Sequence, residues 1–245
     1  MSSLTRMLEI LDLFDLDQPF WTSEQVMDRT GFSRPTTFRY LKELRDAGLV
    51  ARFAGGYVLG AKAVKLDYII RQSDPLLKLF QPIMERVRDE TDCDVILASL
   101  LGHDFFATIH AQSTSTNVNW PRGRSMPLTR GAGGMVVLAA LPKTQLRRLL
   151  EDKQIAASIT DREALLAEIA QVARDGHAIS LGALEAENVG IAVPVTLAGV
   201  PPTALVLVMS RKRFGTTDRT LITNMLRSAR EQLIKAYATL DALRS

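Results

Sequence analysis

Residues 33–60, SRPTTFRYLKELRDAGLVARFAGGYVLG, join one helical pattern directly to a hairpin pattern, and this order restricts the possible folds more than any other part of the chain. Ser33 is a candidate N-cap, and Pro35 is compatible with a first helical turn, where no intrahelical donor is needed. The apolar positions at helical spacing are Phe38, Leu41 and Leu44. After Gly48, β-prone residues flank Gly55-Gly56, a two-residue turn that lets two strands pair. The stretch therefore predicts a helix followed by a two-stranded wing.

Two further helical patterns precede this stretch. Residues 4–14 place apolar side chains at helical spacing, and TSEQVMDRTG offers Thr22 or Ser23 as the N-cap and Gly31 as the end of a short helix. Three helices with a tight turn, followed by a hairpin within about sixty residues, are the elements of a winged helix-turn-helix domain.

The third helix carries side chains suited to a DNA groove. Arg34, Thr37, Arg39 and Tyr40 are expected on the face opposite the apolar one. An α-helix fits the major groove of B-DNA, where arginine can donate to guanine or phosphate and threonine can contact phosphate or a thymine methyl group. A charged face is also normal for any solvated helix, so the prediction depends on the combination with the turn and the hairpin. The predicted DNA-binding residues are Ser33, Arg34, Thr36, Thr37, Arg39, Tyr40 and, on the wing, Arg52.

Composition permits this function without demanding it. The net charge of +3 and the sequence pI of about 9.1 are mildly basic. Cys93 is the single cysteine, which excludes an internal disulfide and a thiolate metal cluster and is expected in a reducing compartment. Residues 1–20 contain four acidic residues and no signal-peptide cleavage pattern, and no stretch is long and apolar enough to cross a bilayer. We therefore expect a cytoplasmic protein with no membrane partner.

The pattern changes after residue 60. Residues 61–73 continue as a helix that must leave the small domain, and Asp74-Pro75 can cap and begin a new helix. From residue 93 onward strand and helix patterns are mixed, which indicates a sheet covered by helices. We predict an α+β chain with a winged helix-turn-helix DNA-binding domain at 1–60, a linker helix at 61–75 and an α/β domain at 76–245.

Several stretches resemble the IclR-type transcriptional regulators. SRPTTFRYLKELRDAGLV and GYVLGAKAVKLDYI are similar to the winged helix-turn-helix and linker of that family. ETDCDVILASL, GRSMPLTRGAGGMVVLAALP and DGHAISLGALEAENVGIAVPV continue the likeness over nearly the whole chain. The resemblance implies a GAF-like C-terminal domain that binds a small-molecule effector, often an organic acid. It also implies a double-stranded DNA operator as partner and a homodimer or homotetramer.

The resemblance further implies an effector site at Gly131 and Ala132, which match the helix start that holds the carboxylate of the ligand in the family. Ser180 stands where the family has an acidic residue, and Val206 and Val208 replace serines that commonly line the pocket. Such apolar walls favour an aromatic or hydrophobic organic acid over a small hydroxy or keto acid. The predicted effector-binding residues are Gly131, Ala132, Trp120, Met126, Ser180, Gly190, Val206 and Val208.

Two other interpretations of the glycine-rich helix start stay open. Gly131 and Gly133 resemble the beginning of a dinucleotide-binding loop, but Val136 stands at the position of the third glycine and no clear strand leads into the loop. The glycines are equally compatible with close packing of the helix against a neighbour.

The sequence contains no evident catalytic constellation. His103, His110 and His177 lack a nucleophile or metal-ligand spacing, and Glu185 and Glu187 fall in a loop where solvated charge is expected. We interpret the chain as a regulator, not an enzyme, and expect neither cofactor nor metal. The alternatives are an α/β enzyme that converts a small molecule and carries an N-terminal targeting or dimerisation domain, and a dimerisation adapter without a ligand.

Overall fold

The chain forms two compact units, Met1–Asp74 and Pro75–Ser245, each with its own hydrophobic core. The computed structural model describes residues 2–116, 118 and 120–242. Within these ranges, none of the helices combines the length and the apolar character that a bilayer span requires.

The described residues of the N-terminal unit form α-helices, a short 3₁₀ segment and a hairpin. Its elements are α1 (Ser3–Leu8), α2 (Ser23–Thr30), α3 (Arg34–Asp46), β1 (Val50–Phe53), β2 (Gly56–Leu59) and α4 (Ala61–Ser73). Thr22 caps α2 through a reciprocal capping box with Gln25, and Gly31 ends that helix with a left-handed φ of 68°. The first helix is shorter than the pattern at 4–14 predicts, because the chain continues as a 3₁₀ segment at Leu11–Leu13. The predicted order of helices and hairpin is confirmed.

The wing hairpin turns one residue earlier than the sequence suggests. Phe53 pairs with Gly56, so Ala54 and Gly55 form the turn with φ of 43° and 86°. Positive φ at both central residues is typical of the tightest hairpin turns. A Cβ on Gly56 would approach Phe20 Cζ to 2.4 Å. The predicted Gly55-Gly56 turn is therefore wrong, since Gly56 belongs to the paired strand. Close packing against Phe20, and not the turn, requires glycine at position 56.

The core of the N-terminal unit joins α3 to the wing. Trp21 Nε1 donates to Leu13 O at 2.9 Å and to Gln18 O at 3.1 Å, and the Trp21 backbone bridges to Tyr57 of β2. The buried residues are Ile10, Trp21, Val26, Phe32, Tyr40, Leu41, Leu44, Val50 and Tyr57. This packing fixes the orientation of α3 relative to the wing.

The C-terminal unit is a five-stranded antiparallel sheet with helices on both faces. The strand order is β4-β3-β7-β6-β5. The strands are β3 (Asp94–Leu101), β4 (Asp104–Ala111), β5 (Ala178–Leu181), β6 (Asn188–Val195) and β7 (Thr203–Ser210). The helices are α5 (Pro75–Thr91), α6 (Gly131–Ala140), α7 (Lys143–Leu150), α8 (Lys153–Ala157), α9 (Arg162–Asp175), α10 (Arg211–Phe214) and α11 (Arg219–Ala242). The α+β prediction is confirmed, and β5, α8 and α10 are additional to it.

Helix α6 lies on one face of this sheet against β5, β6 and β7, while α5 and α11 lie on the other face. A Cβ on Gly134 would lie 2.0 Å from the carbonyl oxygen of Leu128. Glycine at this position therefore allows the segment before α6 to pack directly on the helix.

Candidate functional sites

One face of α3 carries exposed cationic side chains. Arg34, Arg39 and Lys42 are exposed and make no ion pair with the residues that the structure describes, whereas Arg45 pairs with Asp46 at 3.1 Å. Unpaired cations are available to phosphate oxygens and to the acceptor atoms of bases. This face is therefore electrostatically suited to nucleic acid.

Thr37 and Tyr40 belong to the core, contrary to the sequence interpretation. Thr37 is fully buried, and Tyr40 is 5% exposed and meets Phe32 edge-on with ring centroids 5.7 Å apart. The buried positions of α3 are 37, 40, 41 and 44, which is the spacing of a core-facing helix. Phe38, which was expected on the apolar face, lies off this stripe and is exposed. The prediction that Thr37 and Tyr40 face outward is wrong, because the stripe through Leu41 and Leu44 includes them.

Three of the predicted arginines stack on aromatic rings. The distances from guanidinium Cζ to ring centroid are 5.6 Å for Arg34 on Phe38, 5.3 Å for Arg39 on Tyr40 and 5.8 Å for Arg52 on Tyr57. A side chain that is already restrained loses less entropy when it binds a partner. The rings therefore pre-organise the guanidinium groups.

Ser33 and Thr36 lie at the beginning of α3. Ser33 occupies the N-cap position, but its hydroxyl donates to Thr36 Oγ1 at 3.0 Å and makes no capping bond to the backbone. The first N–H groups of a helix have no intrahelical acceptor, and such groups commonly bind phosphate. The N-terminal end of α3 is thus a second feature suited to the DNA backbone.

The C-terminal unit contains a cavity of about 40 Å³ at the start of α6. Its lining residues are Trp120, Met126, Ala132, Gly133, Ser180, Ala183, Leu184, Glu185, Asn188, Gly190, Val206 and Val208. The structure thus brings together all the predicted effector residues except Gly131, whose φ is 80° and whose Cβ would lie 3.1 Å from Leu184 Cγ. The volume has room for only a few water molecules, so a ring-sized ligand requires side chains such as Leu184 to move.

A turn between β5 and β6 supplies the polar part of the cavity wall. Ser180 pairs with Gly190 across the two strands, and the Asn188 side-chain amide donates to the Glu185 carboxylate. The Asn188 backbone N–H donates to Glu185 O at 2.9 Å. Sequence reasoning missed Glu185 and Asn188, since it placed the glutamate in a solvated loop. Only the return of the chain through β6 indicates that this turn faces the pocket.

A larger cavity of about 350 Å³ lies at the opposite end of α6, beside Leu141. Its lining residues are Leu100, Gly102, His103, Leu141, Gln145, Arg148, Leu149 and Pro202. None of these is a predicted effector residue, and His103, Gln145 and Arg148 are exposed. The predicted effector residues thus belong to the smaller cavity, where buried strands and the helix start converge.

Some buried titratable groups of the C-terminal unit have structural partners. His110 Nε2 lies 2.6 Å from the buried Asp94 carboxylate, which also accepts from Ser113 N at 3.2 Å. Burial raises the pKa of the Cys93 thiol, so a smaller fraction of it is present as the reactive thiolate. Among residues 2–116, 118 and 120–242, no three His, Cys, Asp or Glu side chains are grouped to hold a metal ion.

Comparisons with known proteins agree on one family for both units. Residues 3–52 match the IclR helix-turn-helix domain, and residues 70–234 match the family described as bacterial transcriptional regulator IclR C-terminal. The HTH-type transcriptional regulator Rv1719 of Mycobacterium tuberculosis is 30% identical over 205 residues, which cover 80% of this chain and 77% of the relative.

Solved structures have the same fold. An IclR-type regulator from Silicibacter sp. TM1040 is 25% identical, with a TM-score of 0.81 over 96% of this chain and 95% of that one. An IclR homologue from Microbacterium hydrocarbonoxydans, crystallised in complex with 4-hydroxybenzoate, is 24% identical, with a TM-score of 0.77 over 97% of this chain and 100% of that one.

Proposed function

Because the chain belongs to the IclR family of bacterial transcriptional regulators, we propose that α3 and the wing bind an operator and that an organic acid beside α6 controls this binding. Like its relatives, which are transcriptional regulators, the protein is a DNA-binding regulator and not an enzyme. The observation that carries the proposal is the row of exposed cations on α3 that form no salt bridge within the described part of the chain. The regulator then acts in the cytoplasm, where the chromosome of a bacterium lies.

Direct DNA contacts come from the exposed residues of the predicted set. The guanidinium groups of Arg34 and Arg39 reach base edges or phosphates in the major groove, and Arg52 binds the backbone beside the wing. Tyr40 acts indirectly, because its ring supports Arg39 from within the core. The contacts that we propose are those of Ser33, Arg34, Thr36, Arg39 and Arg52.

A second copy of this chain is the proposed partner of α4. This helix has no buried residue, and Val64 and Tyr68 are 73% and 64% exposed. An apolar helix surface of this kind is costly in water and is commonly covered by a partner. In a homodimer the two α3 helices reach half-sites about 34–36 Å apart, and a homotetramer pairs two such dimers. The segment 61–75 serves as the linker between the DNA-binding domain at 1–60 and the effector-binding domain at 76–245.

The proposed effector is an aromatic acid that also carries a hydrogen-bond donor. The free N–H groups at the start of α6 suit the carboxylate, and Trp120, Val206 and Val208 suit a ring. The Glu185 carboxylate accepts hydrogen bonds, so a hydrogen-bond donor on the ligand, such as a phenol, suits the turn that carries it. The 4-hydroxybenzoate bound by the Microbacterium hydrocarbonoxydans homologue has this chemistry. Occupancy controls DNA binding if the ligand prefers one of two arrangements of the dimer.

The DNA part of the proposal is tested with a duplex that the full-length protein selects from a random library. We expect Arg39→Ala to weaken binding about tenfold or more at fixed salt, as the loss of a base or phosphate contact does. Arg147→Ala is the matched control, since this exposed arginine belongs to the C-terminal unit. Equal affinities of both variants and the wild type would contradict the assignment of α3.

The effector part is tested by calorimetry with benzoate and 4-hydroxybenzoate. We expect one site per chain and a preference for the hydroxylated acid, and Glu185→Gln should reduce that preference about tenfold because a charged acceptor is lost. Glu187→Gln is the control, since Glu187 is exposed and does not line the cavity. Conversion of either acid by the pure protein would support the enzyme alternative instead.

A further inference from the structure

Phe38 is an exposed aromatic residue in the middle of a cationic helix face. Its side chain is 36% exposed, while the neighbouring positions 37, 40 and 41 are buried. It lies one helical turn after Arg34, whose guanidinium carbon is 5.6 Å from the ring centroid. Arg34 and Phe38 therefore form one unit on the surface of the N-terminal half of α3.

Phe38 is not a member of the hydrophobic core of the N-terminal unit. The exposed residues beside it on α3 include Arg39 and Lys42, whose charged groups suit polar DNA atoms. A phenyl ring gains nothing from phosphate oxygens, and its exposure to water costs free energy. The ring becomes favourable on this face if the bound surface offers an apolar group.

The floor of the major groove offers one such group. Thymine presents a C5-methyl group there, and phenylalanine is among the side chains that contact it. In helix-turn-helix proteins the N-terminal residues of the recognition helix are the ones that reach base edges, and Arg34 and Phe38 lie in that half of α3. The 5.6 Å between guanidinium and ring is less than two base steps of about 3.4 Å. Arg34 can therefore read a guanine one or two steps from the thymine.

We propose that Phe38 is a specificity-determining residue that reads a thymine C5-methyl group in each half-site, with Arg34 on a nearby guanine. The inference rests on the proposed function, because it requires α3 to enter the major groove. It names the base at one operator position and the atom group that is recognised.

Replacement of single thymines by deoxyuridine tests this directly, since it removes only the methyl group. The probe is the duplex that the full-length wild-type protein selects from a random library. At one thymine per half-site we expect deoxyuridine to raise the wild-type Kd about fourfold, the value expected for one buried methyl group. Phe38→Ala should bind the thymine and deoxyuridine duplexes equally well, and Phe38→Leu should keep part of the difference.

Lys42→Ala is the matched control on the same face of α3. It should weaken both duplexes alike and lower the salt dependence of binding, whereas Phe38→Ala should leave the salt dependence unchanged. Circular dichroism of each variant verifies that α3 is folded.

Two results would overturn the inference. Either the wild type is indifferent to deoxyuridine at every thymine, or Phe38→Ala keeps the full wild-type difference. If Arg39→Ala and Lys42→Ala still weaken binding in those cases, the proposed function stands without the methyl contact. If the selection recovers no preferred sequence, both the operator proposal and the inference fail.

Discussion

Replacing Thr37 with valine should stabilise the N-terminal unit. The Thr37 side chain is fully buried, and Oγ1 has no hydrogen-bond partner among the described residues. Valine has the same branched shape and a similar helix propensity, and it replaces the hydroxyl by a methyl group. The change therefore removes an unsatisfied polar atom without creating a cavity.

The magnitude follows from the cost of that atom. An unsatisfied buried hydroxyl costs about 1–3 kcal/mol, so a gain of at least about 1 kcal/mol is expected. For a domain of 60–100 residues, about 1 kcal/mol corresponds to roughly 4–8 °C in Tm. Thr37→Ser is the complementary variant, because it keeps the hydroxyl and removes a buried methyl group. It should destabilise the unit by about 0.8 kcal/mol.

Calorimetric melting of the full-length variants measures both changes in the transition of the N-terminal unit. DNA affinity should be equal for Thr37→Val and the wild type, because the side chain does not reach the surface. A lower Tm for Thr37→Val, or a loss of DNA affinity comparable to that of Arg39→Ala, would refute the reasoning and show that the hydroxyl has a partner.

Three further substitutions test other features of the fold. Ala54→Asn should stabilise the wing by about 1 kcal/mol in thermal melts, because Ala54 has a φ of 43° that asparagine tolerates better and Asn-Gly is favoured in this turn. Gly134→Ala should destabilise the C-terminal unit by about 1–3 kcal/mol in urea titrations, since the new Cβ would lie 2.0 Å from a backbone oxygen. Hydrogen bonds from the hydroxyls of Ser115 and then Ser113 lower the pKa of Asp92, so its stabilisation is present above the ordinary pKa of 3.8 and is lost as pH falls through the lowered folded value. Asp92→Asn should therefore lose less stability than the wild type as pH falls below 3.8, and acid-unfolding curves of equal slope for the two proteins would contradict this.

The order of elements in the N-terminal unit could be predicted because its signals are local. Thr22 and Gly31 mark the two ends of α2 through capping and a left-handed turn, and both operate as the sequence suggests. Local signals of this kind do not predict which side chains of α3 face the core. Threonine and tyrosine suit both a core and a surface, and the packing of Tyr40 against Phe32 decides the choice.

The C-terminal pocket shows a different limit of prediction from sequence. Most of its lining is predicted by the resemblance of the sequence to the IclR family. Glu185 and Asn188, in contrast, lie in a turn that only the β5–β6 register brings to the start of α6. The four-residue β5 is too short for its alternation to be recognised between glycines. Long-range strand pairing, which no local pattern encodes, therefore decides the polar end of the pocket.

If Arg39 and Arg52 contact the operator as proposed, their stacking on Tyr40 and Tyr57 links DNA affinity to the interior of the protein. Each ring is a core residue on one side and a support for a cation on the other. Under that proposal, a change of either ring alters both the core and the support of a DNA-binding cation. Adaptation of the regulon is thereby constrained by the same side chains that maintain the folded state.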